Sequence, residues 1–151
     1  MTNNTENLYK SLSDGEKLIR KMFIEQSIKV KSYDVDYMQI VNNTVYVKWF
    51  EDLRTAILDR YFPLEEMMKE NNTPILSETY VKYHRPITLK NKPVGKAWIE
   101  ELNKSKWSAR FEIVENHVLY CEGRQAGYFY NMEKKRPVRF PKEFIEFYNS
   151  L

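Results

Sequence analysis

The stretch Tyr33-Asp34-Val35-Asp36-Tyr37-Met38-Gln39-Ile40-Val41-Asn42-Asn43 gathers two carboxylates and two side-chain amides where no helical or strand period holds. If Asp34 and Asp36 stay extended they point the same way, and mutual repulsion with partial burial would raise the pKa of one of them. A carboxylate so placed, just ahead of a helix start, suits a general base or nucleophile. The free N–H groups of the first helical turn would then hold a developing oxyanion. The same residue types also make turns and helix caps, so spacing alone leaves a second reading open: Asp34 and Asp36 stabilise a turn, and Asn42 or Asn43 caps the helix. A calcium loop is disfavoured, since neither the EF-hand glycine nor its terminal glutamate follows.

Other chemistries are excluded by scarcity. The only glycines, Gly15, Gly95, Gly123 and Gly127, spell neither a phosphate-binding loop nor a dinucleotide fingerprint. His84 and His117 are the only histidines, no H-E-x-x-H occurs, and no serine sits in a G-x-S-x-G elbow. What remains is chemistry by carboxylates, amides or backbone groups, with no metal and no cofactor expected. The lone Cys121 builds neither a disulfide nor a multi-cysteine zinc site, which suits a reducing cytoplasm. It alternates with Tyr120 and Glu122 and reads as packing. The N-terminal residues show no basic region followed by an apolar stretch, and no run reaches membrane-spanning length, so neither signal-led secretion nor insertion is expected. With 24 Lys and Arg against 21 Asp and Glu, the net charge of +3 is too small and too mixed for a general nucleic-acid binder. A local cationic pocket for an anionic ligand is still allowed.

The elements that must position the acidic stretch can be read from periodicity. At 151 residues and 42% hydrophobic, the chain supports one domain with a real core. Residues 1–22 read as a polar leader and short helix, with a Ser13-Asp14-Gly15-Glu16 capping box ahead of Leu18, Ile19 and Met22. Alternation from Phe23 to Lys31, with Ile24, Ile28 and Val30 on one face, predicts a strand. Thr44 to Arg60 then turns helical: Tyr46, Trp49 or Phe50, Leu53 and Ile57 form one stripe, and Lys48, Asp52, Thr55 and Asp59 the opposite one. So wide an aromatic stripe predicts a central helix lying against a large sheet face.

A short helical piece, Leu64–Asn71, precedes four extended segments: Pro74–Ile87, Pro93–Asn103, Lys106–Val114 and Val118–Asn131. In the third, Trp107, Ala109, Phe111 and Ile113 alternate with Lys106, Ser108, Arg110 and Glu112, a half-buried antiparallel pattern. Short connections favour a meander. Pro141 opens a last helix that docks Phe144, Phe147 and Tyr148. The sum is an α+β domain, residues 23–151, whose antiparallel sheet wraps one long helix.

Residues Tyr33 to Leu58 resemble the signature of the 4-hydroxybenzoyl-CoA thioesterase-like family of hotdog-fold acyl-CoA hydrolases. The matching positions are Asp34 and Asp36, then Val41-Asn42-Asn43, Tyr46, and Glu51 with Arg54-Thr55 downstream. Val81-Lys82-Tyr83-His84-Arg85-Pro86 is similar to that family's central strand, and Arg136-Pro137-Val138-Arg139-Phe140-Pro141 to its closing strand. The likeness thus covers about residues 23 to 148 and agrees with the wrapped-helix architecture.

The resemblance implies hydrolysis of an acyl-CoA thioester to a free acid and coenzyme A, within fatty acid metabolism. Asp36 matches the catalytic carboxylate, as nucleophile or general base. The Asn43 backbone N–H matches the group that polarises the thioester carbonyl, and Asp34 shapes the loop. Gln39 departs from the glycine of many relatives and resembles plant acyl-ACP thioesterases, while a histidine found in some relatives at Ile40 or Asn43 is missing. Glu51, on the helix, is a secondary catalytic candidate because another hotdog branch uses a carboxylate there. Its alternative is an ion pair with Arg54 that fixes the helix.

Tyr37, Met38 and Tyr46 are candidates for the acyl pocket. Lys104-Ser105-Lys106 beside Trp107, with Arg85, are candidates for the CoA phosphates and adenine, His84, Lys90 and Lys92 being alternatives. The resemblance further implies a homodimer joined sheet edge to sheet edge, extending to a homotetramer, with the pocket between protomers. The rivals are an acyl-ACP thioesterase and a non-catalytic acyl-CoA binding module on the same fold.

Overall fold

The structure, a computed structural model, describes residues 19–151. The capping box at Ser13–Glu16 and Leu18 lie outside the described residues. One antiparallel sheet runs in the order β1-β3-β4-β5-β2, where β1 is Lys21–Ser27, β2 Asn72–Tyr83, β3 Val94–Asn103, β4 Lys106–Glu115 and β5 Val118–Asn131. A two-residue β6, Arg136–Pro137, pairs with the end of β5. The three helices are α1 (Asn43–Tyr61), α2 (Leu64–Lys69) and α3 (Lys142–Ser150).

The sheet curls around α1 because both carry matching apolar faces. Tyr46, Trp49, Phe50, Leu53 and Ile57 are buried on the helix, and Trp107, Ala109, Phe111 and Ile113 on the concave side of β4. The Phe50 and Phe111 rings stack with centroids 4.7 Å apart at the centre. Gly123 of β5 allows this approach: a Cβ there would stand 2.3 Å from Phe50 Cε2.

Four expectations are corrected. The meander holds only for β3-β4-β5. β2 crosses to the far side of β5, leaving β1 and β2 as the two edges. Met22 belongs to β1 rather than to a helix, buried in the core at a register shift where its φ is 55°. Three apolar residues were too few to separate the two periods. The second face of β4 is not wet, since Ser108 and Glu112 are buried, and Arg20 lies over that face with Nη2 3.0 Å from Glu112 Oε1 and its guanidinium 4.1 Å from the Trp98 ring centre. In α3, Phe144 and Tyr148, one turn apart, dock as expected, while Phe147 falls off their stripe and is 45% exposed.

Candidate active site

The acidic stretch is a loop that folds on its own backbone. Asp34 does not stay extended. It ends a 3-10 turn, Ser32–Asp34, where its Oδ2 accepts the Lys31 N–H at 2.8 Å and its carbonyl accepts the Asn42 N–H at 2.9 Å. Buried and turned inward, Asp34 is a brace between the two legs of the loop. Val35 and Val41 form an antiparallel bridge beside it, and the Val41 N–H donates to the Ile87 carbonyl at 2.8 Å, anchoring the loop just beyond β2.

Asp36 sits where the loop leaves that bridge. Its Oδ1 accepts the Met38 N–H at 2.8 Å, its N–H donates to the Ile40 carbonyl and its carbonyl accepts the Gln39 N–H. The carboxylate is half-buried and held by one oxygen. Gln39 completes the turn with φ 67°, a left-handed conformation that favours glycine. That geometry is why glycine suits the position, and Gln39 holds it against the steric cost of a Cβ.

Two residues after the bridge, Asn42 caps α1. Its Oδ1 accepts the Thr44 N–H at 3.0 Å and the Thr44 hydroxyl at 2.9 Å. Asn43 follows as the first helical residue, and among the described residues none accepts its N–H. Its carbonyl accepts the Tyr83 hydroxyl at 3.0 Å. Tyr83 therefore ties the helix start to the end of β2, with its ring edge-on to Tyr46 at 5.1 Å. The bridge thus brings a carboxylate and an unused helix-start N–H to neighbouring legs of one loop.

The other candidates are dispersed. Tyr37 and Met38 stand exposed on the loop at 92% and 62%, whereas Tyr46 is buried against Trp49 and Tyr83, where burial pushes its phenol up to about 12. Cys121 is buried and its thiol is likewise pushed up to about 12 by burial, which fits packing. Arg85 lies just past β2, on the Asp36 end of the sheet. Lys104, Ser105 and Lys106 form the β3–β4 turn, and Lys106 pairs with Tyr128 while Tyr83 pairs with Cys121. These positions are seven residues apart along β5, so the two basic groups sit at opposite ends of the sheet, roughly 23 Å apart along the strand. Trp107 is not available to an adenine. It is buried, with Nε1 on the Tyr128 carbonyl at 3.3 Å.

Glu51 is exposed on α1 and makes no ion pair with Arg54 among the described residues. Arg54 instead donates from Nη1 to Gln125 Oε1, and Gln125, fully buried, donates from Nε2 to Thr79 Oγ1 at 3.2 Å. Tyr83, Gln125 and Thr79 were not singled out from sequence. The alternation that puts Thr79, Val81 and Tyr83 on one face of β2 is the signal that finds two of them. A cleft of about 320 Å³ between α1 and the end of β1, and one of about 600 Å³ between the end of α1 and α3, are not lined by Asp36 or Asn43.

A curled antiparallel sheet wrapped around one long helix is the hotdog fold, here with an acidic loop at the helix start. Residues 30–147 match the thioesterase-like superfamily, and the chain belongs to it; it is a thioesterase. No curated protein matches the chain. Among solved structures, the Staphylococcus aureus protein SAV2348 in complex with CoA superposes with a TM-score of 0.76 at 16% identity, over 89% of this chain and 88% of that one. The DHNA-CoA thioesterase from the same organism gives 0.72 at 20% identity, over 85% and 87%. The gentisyl-coenzyme A thioesterase BH1999 gives 0.70 at 18% identity, over 82% and 99%. At these identities the likeness is one of fold.

Proposed function

We propose that the protein hydrolyses acyl-CoA thioesters with Asp36 as the reacting carboxylate. The observation that carries this reading is the pairing, across the Val35–Val41 bridge, of a half-buried carboxylate with an Asn43 N–H that the described residues leave free. The Met38 N–H occupies Oδ1 of Asp36, so Oδ2 is the oxygen that takes a proton from water or attacks the thioester carbonyl itself. The carbonyl oxygen gains charge as the new C–O bond forms. The Asn43 N–H and the positive end of α1 stabilise it, an effect typically worth about a hundredfold to a thousandfold. Collapse breaks the C–S bond and the thiolate of coenzyme A leaves, taking up a proton; where Asp36 itself attacks, water then hydrolyses the acyl–Asp36 anhydride, releasing the free acid and restoring the carboxylate.

The working unit is a pair of copies. β2 is a twelve-residue edge strand with exposed Leu76, Tyr80 and Tyr83, a template for strand pairing with another chain. Tyr37 and Met38, exposed in one chain, would be covered at such a junction, which supports their role in the acyl pocket beside Tyr46. Antiparallel joining of two β2 edges also carries the Lys104–Lys106 turn of a second copy toward the Arg85 end. That supports a phosphate site drawn from both.

The test is thiol release from short, medium, long and aromatic acyl-CoAs, with Asp36→Asn compared as a folded protein. A drop of about a hundredfold to ten-thousandfold is expected. Undiminished turnover in the variant refutes the assignment of Asp36. A native chain inactive on every acyl-CoA but active on acyl-ACP moves the carrier, and one that binds acyl-CoA without turnover is a binding module.

A further inference from the structure

The half-buried Arg54 presents a physical problem that one chain does not resolve. A guanidinium has five donors and is best satisfied by a carboxylate. Here its hydrogen-bond partner among the described residues is the neutral side chain of Gln125, although Glu51 stands one turn away on the same helix. Burial draws the Arg54 pKa down and the Glu51 charge opposes that shift. Glu51 itself points into solvent. A cation tied inward and an exposed anion thus sit side by side on the border of the apolar stripe, on the flank of α1 that faces β2.

Their position along the sheet is fixed by hydrogen bonds. Arg54 is linked through Gln125 to Thr79, while the middle of β2 falls between Ser77 and Glu78. The chain of contacts therefore places Arg54 beside the centre of the open edge. At the far end of the same seam, Asn43 is tied to Tyr83, so α1 and β2 run antiparallel. A two-fold axis through the middle of an edge strand pairs it with its own copy, and makes any surface on the axis meet itself. The two α1 helices then also run antiparallel to each other near residues 51–54. Positions 51 and 54 are three residues and roughly 4.5 Å apart along the helix axis. Antiparallel pairing about their midpoint sets residue 51 of one helix opposite residue 54 of the other. A patch that is acidic at one of these positions and basic at the other is complementary to its own two-fold image.

We infer that Glu51 and Arg54 form two reciprocal ion pairs across the dimer axis, a clasp between the two α1 helices. The partner is a second copy of this chain, and the inference rests on the edge-to-edge association proposed above. Glu51 then acts in assembly, and its carboxylate is not a second acid of the reaction. The Gln125–Thr79 relay holds Arg54 at the angle needed to meet the carboxylate of the other chain, so β2, which supplies the edge, also orients the cation. Because the junction lies on the same α1–β2 seam as Asn43, the clasp sets the spacing of the two sites.

Charge reversal tests this with the full chain. Glu51→Lys sets cation against cation in both cross-axis pairs of its homodimer, and Arg54→Glu sets anion against anion in both. By analogy with close interfacial charge pairs, each alone is expected to weaken dimerisation about tenfold to a hundredfold in low salt. Mixing the two variants makes every cross-axis pair attractive again, as does the double swap Glu51→Arg with Arg54→Glu in one chain. Sedimentation should show both combinations returning to within about fivefold of the native dissociation constant, with thiol release rising in parallel. A role confined to one chain would not be repaired by mixing, and an acid role for Glu51 would not be restored by lysine. If the native chain is monomeric at all concentrations, the association itself fails. If it is dimeric and the single reversals dimerise as well as native, or if mixing restores nothing, the clasp is overturned while the dimer stands.

Discussion

Gly123→Ala isolates the closest contact between the sheet and α1. The added Cβ would lie 2.3 Å and 2.6 Å from Cε2 and Cζ of the Phe50 ring and 3.0 Å from the Tyr80 carbonyl oxygen. Phe50 cannot swing away, because its ring is fully buried and stacked on Phe111 at 4.7 Å. Either α1 rises from the sheet or β5 moves outward, and overpacking of this kind costs about 1–3 kcal/mol. For a chain of this size that corresponds to a fall in Tm of roughly 3–10 °C. Gly95→Ala is the internal control. Its Cβ meets the Ile28 Cδ1 and Leu53 Cδ1 methyl tips at 2.9 Å, groups at the ends of flexible side chains, so a loss of about 1 kcal/mol or less is expected. Thermal unfolding of the two variants in parallel, with thiol release measured on the folded proteins, gives the answer. Gly123→Ala should also lose activity beyond its stability cost, because a lifted α1 moves the Asn43 N–H away from Asp36. A Gly123→Ala protein that melts with the native chain, or below it by less than Gly95→Ala, refutes the reasoning.

Two further outcomes concern alkaline stability and the loop. Burial holds Cys121 and Tyr46 at about 12, above their ordinary values of 9.0 and 10.0, so the folded state keeps protons that the unfolded chain releases. Stability is therefore fully present below pH 9 and declines as pH rises from 9 toward 12, at up to about 1.4 kcal/mol per pH unit for each group. Denaturant titrations between pH 8 and 11 should show this decline, and Cys121→Val should remove the part between pH 9 and 10. A flat profile in the native chain would contradict the burial of both groups. Gln39→Gly should relieve a left-handed conformation that costs a side chain about 1–2 kcal/mol while adding up to about 1 kcal/mol of chain entropy to the unfolded state. The expected net gain is near 0.5 kcal/mol, or about 1–2 °C in Tm, and a clear loss of stability would show that the Gln39 side chain does more than fill the turn.

The fold was largely legible because its information is periodic. The stripe from Tyr46 to Ile57 and the alternation from Trp107 to Ile113 are two faces of one core, and each was visible before the other was placed. What periodicity could not supply was pairing. Nothing local in Asn72–Tyr83 says that it crosses to β5 rather than joining β3, because that choice is made by the ten residues from His84 to Pro93 and by the curl of the whole sheet. Nor could alternation show that Ser108 and Glu112 are buried, Glu112 being paired with Arg20 from a distant part of the chain. Of the loop, the residue types announced both a base and a turn, and the turn reading holds: Asp34 braces the loop, Asn42 caps the helix, and Asp36 accepts the Met38 N–H at one oxygen, the other having no hydrogen-bond partner among the described residues.

The same division explains where the proposed site is incomplete. The loop that carries Asp36 and leads into Asn43 is closed by hydrogen bonds within ten residues, so a single chain forms it without help. The residues proposed for the acyl group and the phosphates have no such local tie. Tyr37 and Met38 are exposed, and Lys104–Lys106 lie at the opposite end of the sheet from Arg85. Exposed apolar side chains beside the proposed carboxylate, next to a long open strand, make the kind of surface that a partner covers. A second copy would do so with one operation: the proposed antiparallel pairing of β2 would cover the loop, reverse the sheet so that opposite ends meet, and set Glu51 against Arg54. The prediction that follows is a shared concentration dependence, in which thiol release per chain falls on dilution with the same midpoint as the dimer. Turnover that persists unchanged through dissociation would place the whole site within one chain and remove the reason for the pairing.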